Sequence, residues 1–164
     1  MRQEISLSIA GLGIVFYSPF AVEHIQEGED YLTASFRDPE VVARHVMACE
    51  ISTFCTGTAG DFTLVIDDGK LDDVALSQAE FRVRLGLEVR AEQVCFRDAY
   101  DLLQWWNDCP DSQRVKLADG MYRITVYSSP PASGILGDNQ TIHLNFERVD
   151  CKPELWWTGV PQLC

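Results

Sequence analysis

The segment "FRVRLGLEV" constrains the fold more than any other stretch of this chain. Phe81, Val83, Leu85, Leu87 and Val89 share one parity, while Arg82, Arg84, Glu88 and, just beyond, Arg90 share the other. Successive side chains of a strand point to opposite faces, so this is a strand with one apolar face and one wet face. In "MYRITVY", Tyr122, Ile124 and Val126 oppose Arg123 and Thr125, and in "TIHLNFERV", Ile142, Leu144 and Phe146 alternate with His143, Asn145 and Glu147. These two strands are expected to pair. The connection between them, "SSPPASGILGDNQ", carries Pro130, Pro131, Gly134 and Gly137 and is too long for a tight turn.

Ile5, Leu7 and Ile9 alternate with Ser6 and Ser8 near the N-terminus, and residues 31–36, 50–55 and 62–66 read as further strands broken by Gly57, Gly60 and Gly69. One short helix is expected in "DAYDLLQWW", with Asp98 as cap and Leu102, Leu103, Trp105 and Trp106 as its apolar stripe. The fold class these patterns predict is mainly β: a single-domain antiparallel β-sandwich with one short helix, spanning residues 1–164.

Composition agrees with one globular core. A chain of 164 residues with 46% hydrophobic and 23% charged residues is neither disordered nor fibrous, and its length suits one domain. The apolar string "ISLSIAGLGIVF" follows Glu4 and alternates with serine, which suits a strand better than a signal-peptide core. No apolar run reaches the roughly 18 residues of a membrane helix, and a cytoplasmic location is expected. Cys49, Cys55, Cys95, Cys109, Cys151 and Cys164 form no C-x-x-C pair, so zinc is poorly supported and unpaired thiols are expected.

Asp and Glu number 25 against 13 Lys and Arg, a formal net charge of −12. Such a field repels phosphate backbones, and no basic stripe interleaved with aromatics offsets it, so direct nucleic-acid binding is not expected. Solubility alone accounts for an acid excess, and a basic partner is the functional alternative.

No catalytic constellation stands out. His24, His45 and His143 lie far apart, and G-x-S-x-G, H-E-x-x-H and phosphate-cradling loops are absent. Neither enzymatic activity nor a cofactor or metal is expected. "EGED" groups Glu27, Glu29 and Asp30, and "DDGKLDD" groups Asp67, Asp68, Asp72 and Asp73 without the spacing of a calcium loop. Both read as solvated loops, or as carboxylates that meet Lys and Arg on a partner. Trp105 and Trp106 cannot both lie on one helical stripe, so one of them is a candidate contact. Trp156 and Trp157 either cap the core or serve as anchors.

The stretch "RVKLADGMYRITVYSSPP", with the closing strand "TIHLNFERV", resembles the C-terminal signature of the competence protein J family, inhibitors of a bacterial DNA-entry nuclease. Asp119, Gly120, Tyr122, Ile124 and Val126, then Ile142, Leu144 and Phe146, carry the pattern. "ISLSIAGLGIVFYS" and "STFCTGTAGDFTLVI" match the family's first and middle strands in order. The resemblance implies a β-sandwich that binds and blocks a nuclease or related toxin, as an immunity protein does.

The expected function is that of an acidic inhibitor or immunity protein that blocks a basic nuclease or toxin effector by occlusion, with no membrane partner. The candidate partner-binding residues are Asp67, Asp68, Asp72, Asp73, Glu27, Glu29, Asp30, Trp105 and Trp106. The alternative is a small molecule or carbohydrate held in a cleft lined by Trp105, Trp106, Trp156 or Trp157.

Overall fold

In the computed structural model, which describes residues 1–157 and Pro161, the alternating segments pair in the register that matches like face to like. Strand β8 (Gly120–Ser128) sets Ile124 opposite Phe146 and Val126 opposite Leu144 of β9 (Gln140–Val149). Their other face pairs Arg123 with Glu147 in an ion pair and stacks Tyr127 on His143 at 4.9 Å. A slip of one residue would bury the charged set, so the pattern fixes the register. Strand β5 (Phe81–Val89) joins the other edge of β8, with Leu85 opposite Ile124.

Strands β1 (Arg2–Ile9) and β4 (Gly60–Asp67) pair in the same way, Ile5 against Leu64 and Leu7 against Phe62. β4 then lies parallel to β9, which completes a five-stranded sheet in the order β1-β4-β9-β8-β5. This parallel joint departs from the purely antiparallel sandwich expected. At its start the backbones touch: a Cβ on Gly60 would lie 2.3 Å from the carbonyl oxygen of Gly137, whose carbonyl accepts from the Asp61 amide at 2.8 Å. Only glycine tolerates that approach, at φ +150°.

The second sheet is shorter and antiparallel, in the order β3-β2-β6-β7: β2 (Ile14–Tyr17), β3 (Ile51–Phe54), β6 (Gln93–Asp98) and β7 (Arg114–Lys116). Phe16 stacks on Phe96 at 5.4 Å, and Phe96 meets Phe146 of the larger sheet edge-on at 6.4 Å. One continuous apolar core thus fills the space between the two sheets, and the β-rich sandwich expected from the sequence is the fold observed.

Val15, Tyr17, Cys95 and Arg97 have the opposite parity to Phe16 and Phe96, yet they too are buried. Their cover is a layer of turns and helix on the outer face of the smaller sheet. Helix α1 (Pro39–Ala48) contributes Val42 and Val46 to it; Asp38 accepts the Glu40 amide at 2.8 Å, and Pro39 occupies the first turn. Residues 31–36, expected as a strand, instead form a π-turn (Leu32–Phe36) that the Asp30 carboxylate holds through the Thr33 amide at 2.9 Å. Leu32 and Phe36 are both buried there, a spacing that period-two reading mistakes for alternation. The helix expected after Asp98 is a 3-10 turn (Ala99–Leu103), and a six-residue helix α2 (Asp73–Gln78) lies on the larger sheet's side.

Candidate functional site

The covering layer brings two of the sequence's candidate groups together. The Gly28 amide donates to the Trp105 carbonyl at 2.8 Å, and the Trp105 amide donates to the Glu29 carbonyl at 3.0 Å. This pair of bonds ties the "EGED" loop to the tryptophan pair. Trp105 is buried, packed on Tyr17 at 5.5 Å, and its indole N–H donates to Asn107 at 2.8 Å. It is a core residue, not a contact. Trp106, by contrast, is 60% exposed.

Arg97 holds this arrangement from below. Its guanidinium lies 4.7 Å from the Trp105 ring, donates to the Trp106 carbonyl at 2.6 Å and pairs with Asp101 at 3.0 Å. Burial alone would weaken that charge, but bonds to the Tyr17 hydroxyl and Asp101 hold the group protonated beyond its ordinary range. Burial in turn pushes the Tyr17 hydroxyl well above its usual value, so it stays neutral.

In the same covering layer opens a largely apolar cavity of about 380 Å³, which sequence reading missed. Leu12, Leu32, Phe36, Val42, Tyr100 and Leu103 line it. Leu12, Tyr100 and Leu103 are also among the exposed large apolar side chains. The cavity exists because the π-turn and the 3-10 turn meet across it, and neither turn has a readable apolar period. The exposed Arg37 also lines it, and the exposed Asp30 lies next to it through its bond to the Thr33 amide, while the exposed Glu27 and half-buried Glu29 belong to the loop just before. Glu29 and Asp30 use one carboxylate oxygen each on backbone amides, at 2.9 Å in both cases.

Behind the acidic loop, the Tyr31 hydroxyl bridges two histidines, 3.2 Å from His24 Nε2 and 2.7 Å from His45 Nε2. His45 Nδ1 donates to the Val41 carbonyl at 2.8 Å, so its Nε2 accepts from Tyr31 and His24 donates to the same oxygen. These three side chains fasten the loop to α1.

The four aspartates of residues 67–73 lie elsewhere, at the outer face of the larger sheet and on the opposite side of the sandwich. Asp67 accepts the Gly69 amide at 2.6 Å, Asp68 pairs with the Met1 amino group, and Asp72 caps α2 through Val74 and Ala75 at 3.0 and 3.1 Å. Asp73 is exposed in the first turn of α2. Three of the four therefore have structural partners. Asp67 and Asp72 line a cavity with Arg2, Lys70, Tyr127 and His143; the last two also border a larger one of about 580 Å³ beneath residues 128–133.

The tryptophans do not share a cleft. Trp156 forms a bridge to Arg84, stands 55% exposed and receives Arg82 at 5.8 Å from its ring centre. It belongs to the edge of the larger sheet, across the sandwich from Trp105 and Trp106, and Trp157 packs against the core. Among the described residues no group of three or more His, Cys, Asp or Glu is placed to hold a metal ion, and no helix is long and apolar enough to cross a membrane.

No protein-family profile matches this chain, and no curated protein matches it by sequence. Two solved structures resemble it in fold. "Crocagin biosynthetic gene J" superposes with a TM-score of 0.55 and 11% identity over 88% of this chain and 97% of the other. ComJ, described as the inhibitor of the DNA-degrading activity of NucA from Bacillus subtilis, gives a TM-score of 0.49 and 12% identity over 91% and 96% of the two chains. Both likenesses are of fold alone, and the second is to a protein of the kind the sequence resembles.

Proposed function

We propose that this chain is a non-enzymatic inhibitor or immunity protein that blocks a basic protein, a nuclease or toxin effector, by covering its working surface. The observation that carries this reading is the joining of the acidic loop of Glu27, Glu29 and Asp30 to the exposed Trp106 through the backbone bonds of Gly28 and Glu29 with Trp105, in the same covering layer as an open, largely apolar cavity. Desolvated apolar anchors supply affinity at protein interfaces, while a surrounding field of one sign supplies speed and choice of partner. The cavity takes an apolar side chain of the partner, and the carboxylates meet Lys or Arg around it. Asp67, Asp68, Asp72 and Asp73, mostly engaged with backbone or terminal amine, act at a distance by adding to the field.

A nuclease is the first partner class to test, as the sequence resemblance implies. The experiment is capture of partners on the immobilised chain, elution by a salt step, and assay of the eluted protein's activity with and without added chain. A basic enzyme whose activity is lost on adding one equivalent, and restored when Trp106→Ala and Glu27→Lys replace the native residues, supports the reading. An eluted protein whose activity is unchanged by saturating chain overturns it.

A further inference from the structure

Cys95 and Cys109 are buried together under the covering layer, and the proposed inhibition makes no use of their thiols. Cys95 sits on the outward face of β6, with Tyr17 and Arg114 as its ladder neighbours. Cys109 lies in the loop after Trp106, its sulfur 3.7 Å from the Pro110 carbonyl and 3.9 Å from that of Gln113, the residue before Arg114. The two thiols are therefore brought to the same spot from opposite sides, within hydrogen-bonding contact of each other. Both residues are 2% exposed, and both line a cavity of about 330 Å³ whose wall also includes the exposed Glu23 and Asn107. That cavity is the route by which a small reagent reaches the sulfurs.

Arg114 closes over Cys109. Its terminal nitrogens pair with Asp108 at 2.8 Å and Asp111 at 3.4 Å, which flank the cysteine, and its Nε–H is buried without a hydrogen-bond partner. A neutral thiol is a poor acceptor, so an unmet buried donor beside it carries a cost. A thiolate at Cys109 would relieve it. The charge balance agrees: the bond from Cys95, then Arg97 and Arg114, hold the Cys109 thiol below its ordinary value against the opposing effect of burial, while the Cys95 thiol is pushed far up. One sulfur is prepared to attack and the other to wait.

We propose that Cys109 and Cys95 form a two-thiol site for exchange with a low-molecular-weight disulfide, Cys109 attacking and Cys95 resolving. In the first step the Cys109 thiolate attacks one sulfur of the small disulfide; the S–S bond breaks, a mixed disulfide forms, and one small thiolate leaves with the proton Cys109 released. In the second, Cys95 gives its proton to solvent and attacks the Cys109 sulfur, expelling the second small thiolate, which is protonated. The protein loses two electrons and two protons, and the small disulfide gains both. The resulting bond ties β6 to the loop that carries Trp106.

The test is treatment of the folded, full-length chain with oxidised glutathione, followed by intact-mass measurement and peptide mapping. The expected result is loss of the mass of two hydrogens and a cross-linked peptide pair joining Cys95 to Cys109. Cys95→Ser stops at the first step and retains one glutathione on Cys109, whereas Cys109→Ser leaves Cys95 unmodified. Arg114→Gln slows the reaction, since losing that charge raises the Cys109 thiol and removes more thiolate than it returns in nucleophilicity. If Cys109 and Cys95 stay reduced in the native protein while only the exposed Cys151 becomes modified, the proposal is wrong. That wild-type map needs no variant to fold, and its outcome is independent of whether any enzyme is inhibited.

Discussion

Trp105 and Trp106 are adjacent in sequence and opposite in role. Trp105 is spent on the core under Arg97, while Trp106 is held outward by the bond from Arg97 to its carbonyl. Replacing Trp106 with alanine is expected to change unfolding free energy by no more than about 0.5 kcal/mol, as for an exposed residue. The same change should weaken partner binding by about 2 kcal/mol or more, roughly 30-fold. Chemical denaturation beside titration calorimetry separates the two effects; a stability loss equal to the binding loss would make Trp106 structural. His143 offers a second test. Burial, then the Arg2 charge, hold its imidazole below the ordinary range, and Tyr127, Asp67, Asp72 and Lys70 surround it. The unfolded chain therefore binds a proton more readily than the folded one. Stability is complete above the unfolded value of about 6.5 and falls as pH drops through it. The melting temperature should fall more between pH 7.5 and 5.5 in the native chain than in His143→Gln.

Elements built on period-two alternation were legible because the burial that creates the pattern is the burial that selects the register. β5, β8 and β9 are of this kind, and so is β1. Helix α1 left a local signal in Asp38 and Pro39, cap and first turn, but its short apolar stripe lies beside the residues read as a strand. Asp38→Ala should cost about 1 kcal/mol through the lost cap, read as a lower denaturation midpoint; no change would mean that packing of Val42 and Val46 alone fixes the helix start. The π-turn was hard to read because Leu32 and Phe36, four residues apart, suit one helical turn and one strand face equally, and the run is too short for either period to show. Strands β6 and β7 are short, and the covering layer buries both faces of β6, Cys95 and Arg97 as well as Val94 and Phe96, so burial there does not follow polarity. The parallel joint of β4 and β9 has no local signature at all, because four strands intervene between its partners.

At the scale of the whole molecule, the net charge of −12 is not concentrated on one surface. The two acidic segments lie on opposite sides of the sandwich, so only one of them can sit at the centre of a partner contact. The sequence offered both, plus four tryptophans, as one list; distance in the fold divides it. Changing Asp67, Asp68, Asp72 and Asp73 together to asparagine should slow association several-fold and flatten its salt dependence, while dissociation stays as it was. Asparagine remains a good cap at position 72. Stopped-flow mixing at low and high ionic strength measures this, and a faster dissociation would place those residues in the contact itself.

Strand β9 follows the other eight strands in chain order, yet it occupies the middle of the five-stranded sheet, between β4 and β8. Until it is made, the β1/β4 pair and the β5/β8 pair each present an open edge and have no neighbour to share. The main sheet cannot close before β9 is available, so its unfinished halves are the species most exposed to strand-to-strand aggregation. A chain that stops before Gln140 would therefore be a client for chaperones rather than a slightly destabilised version of this fold.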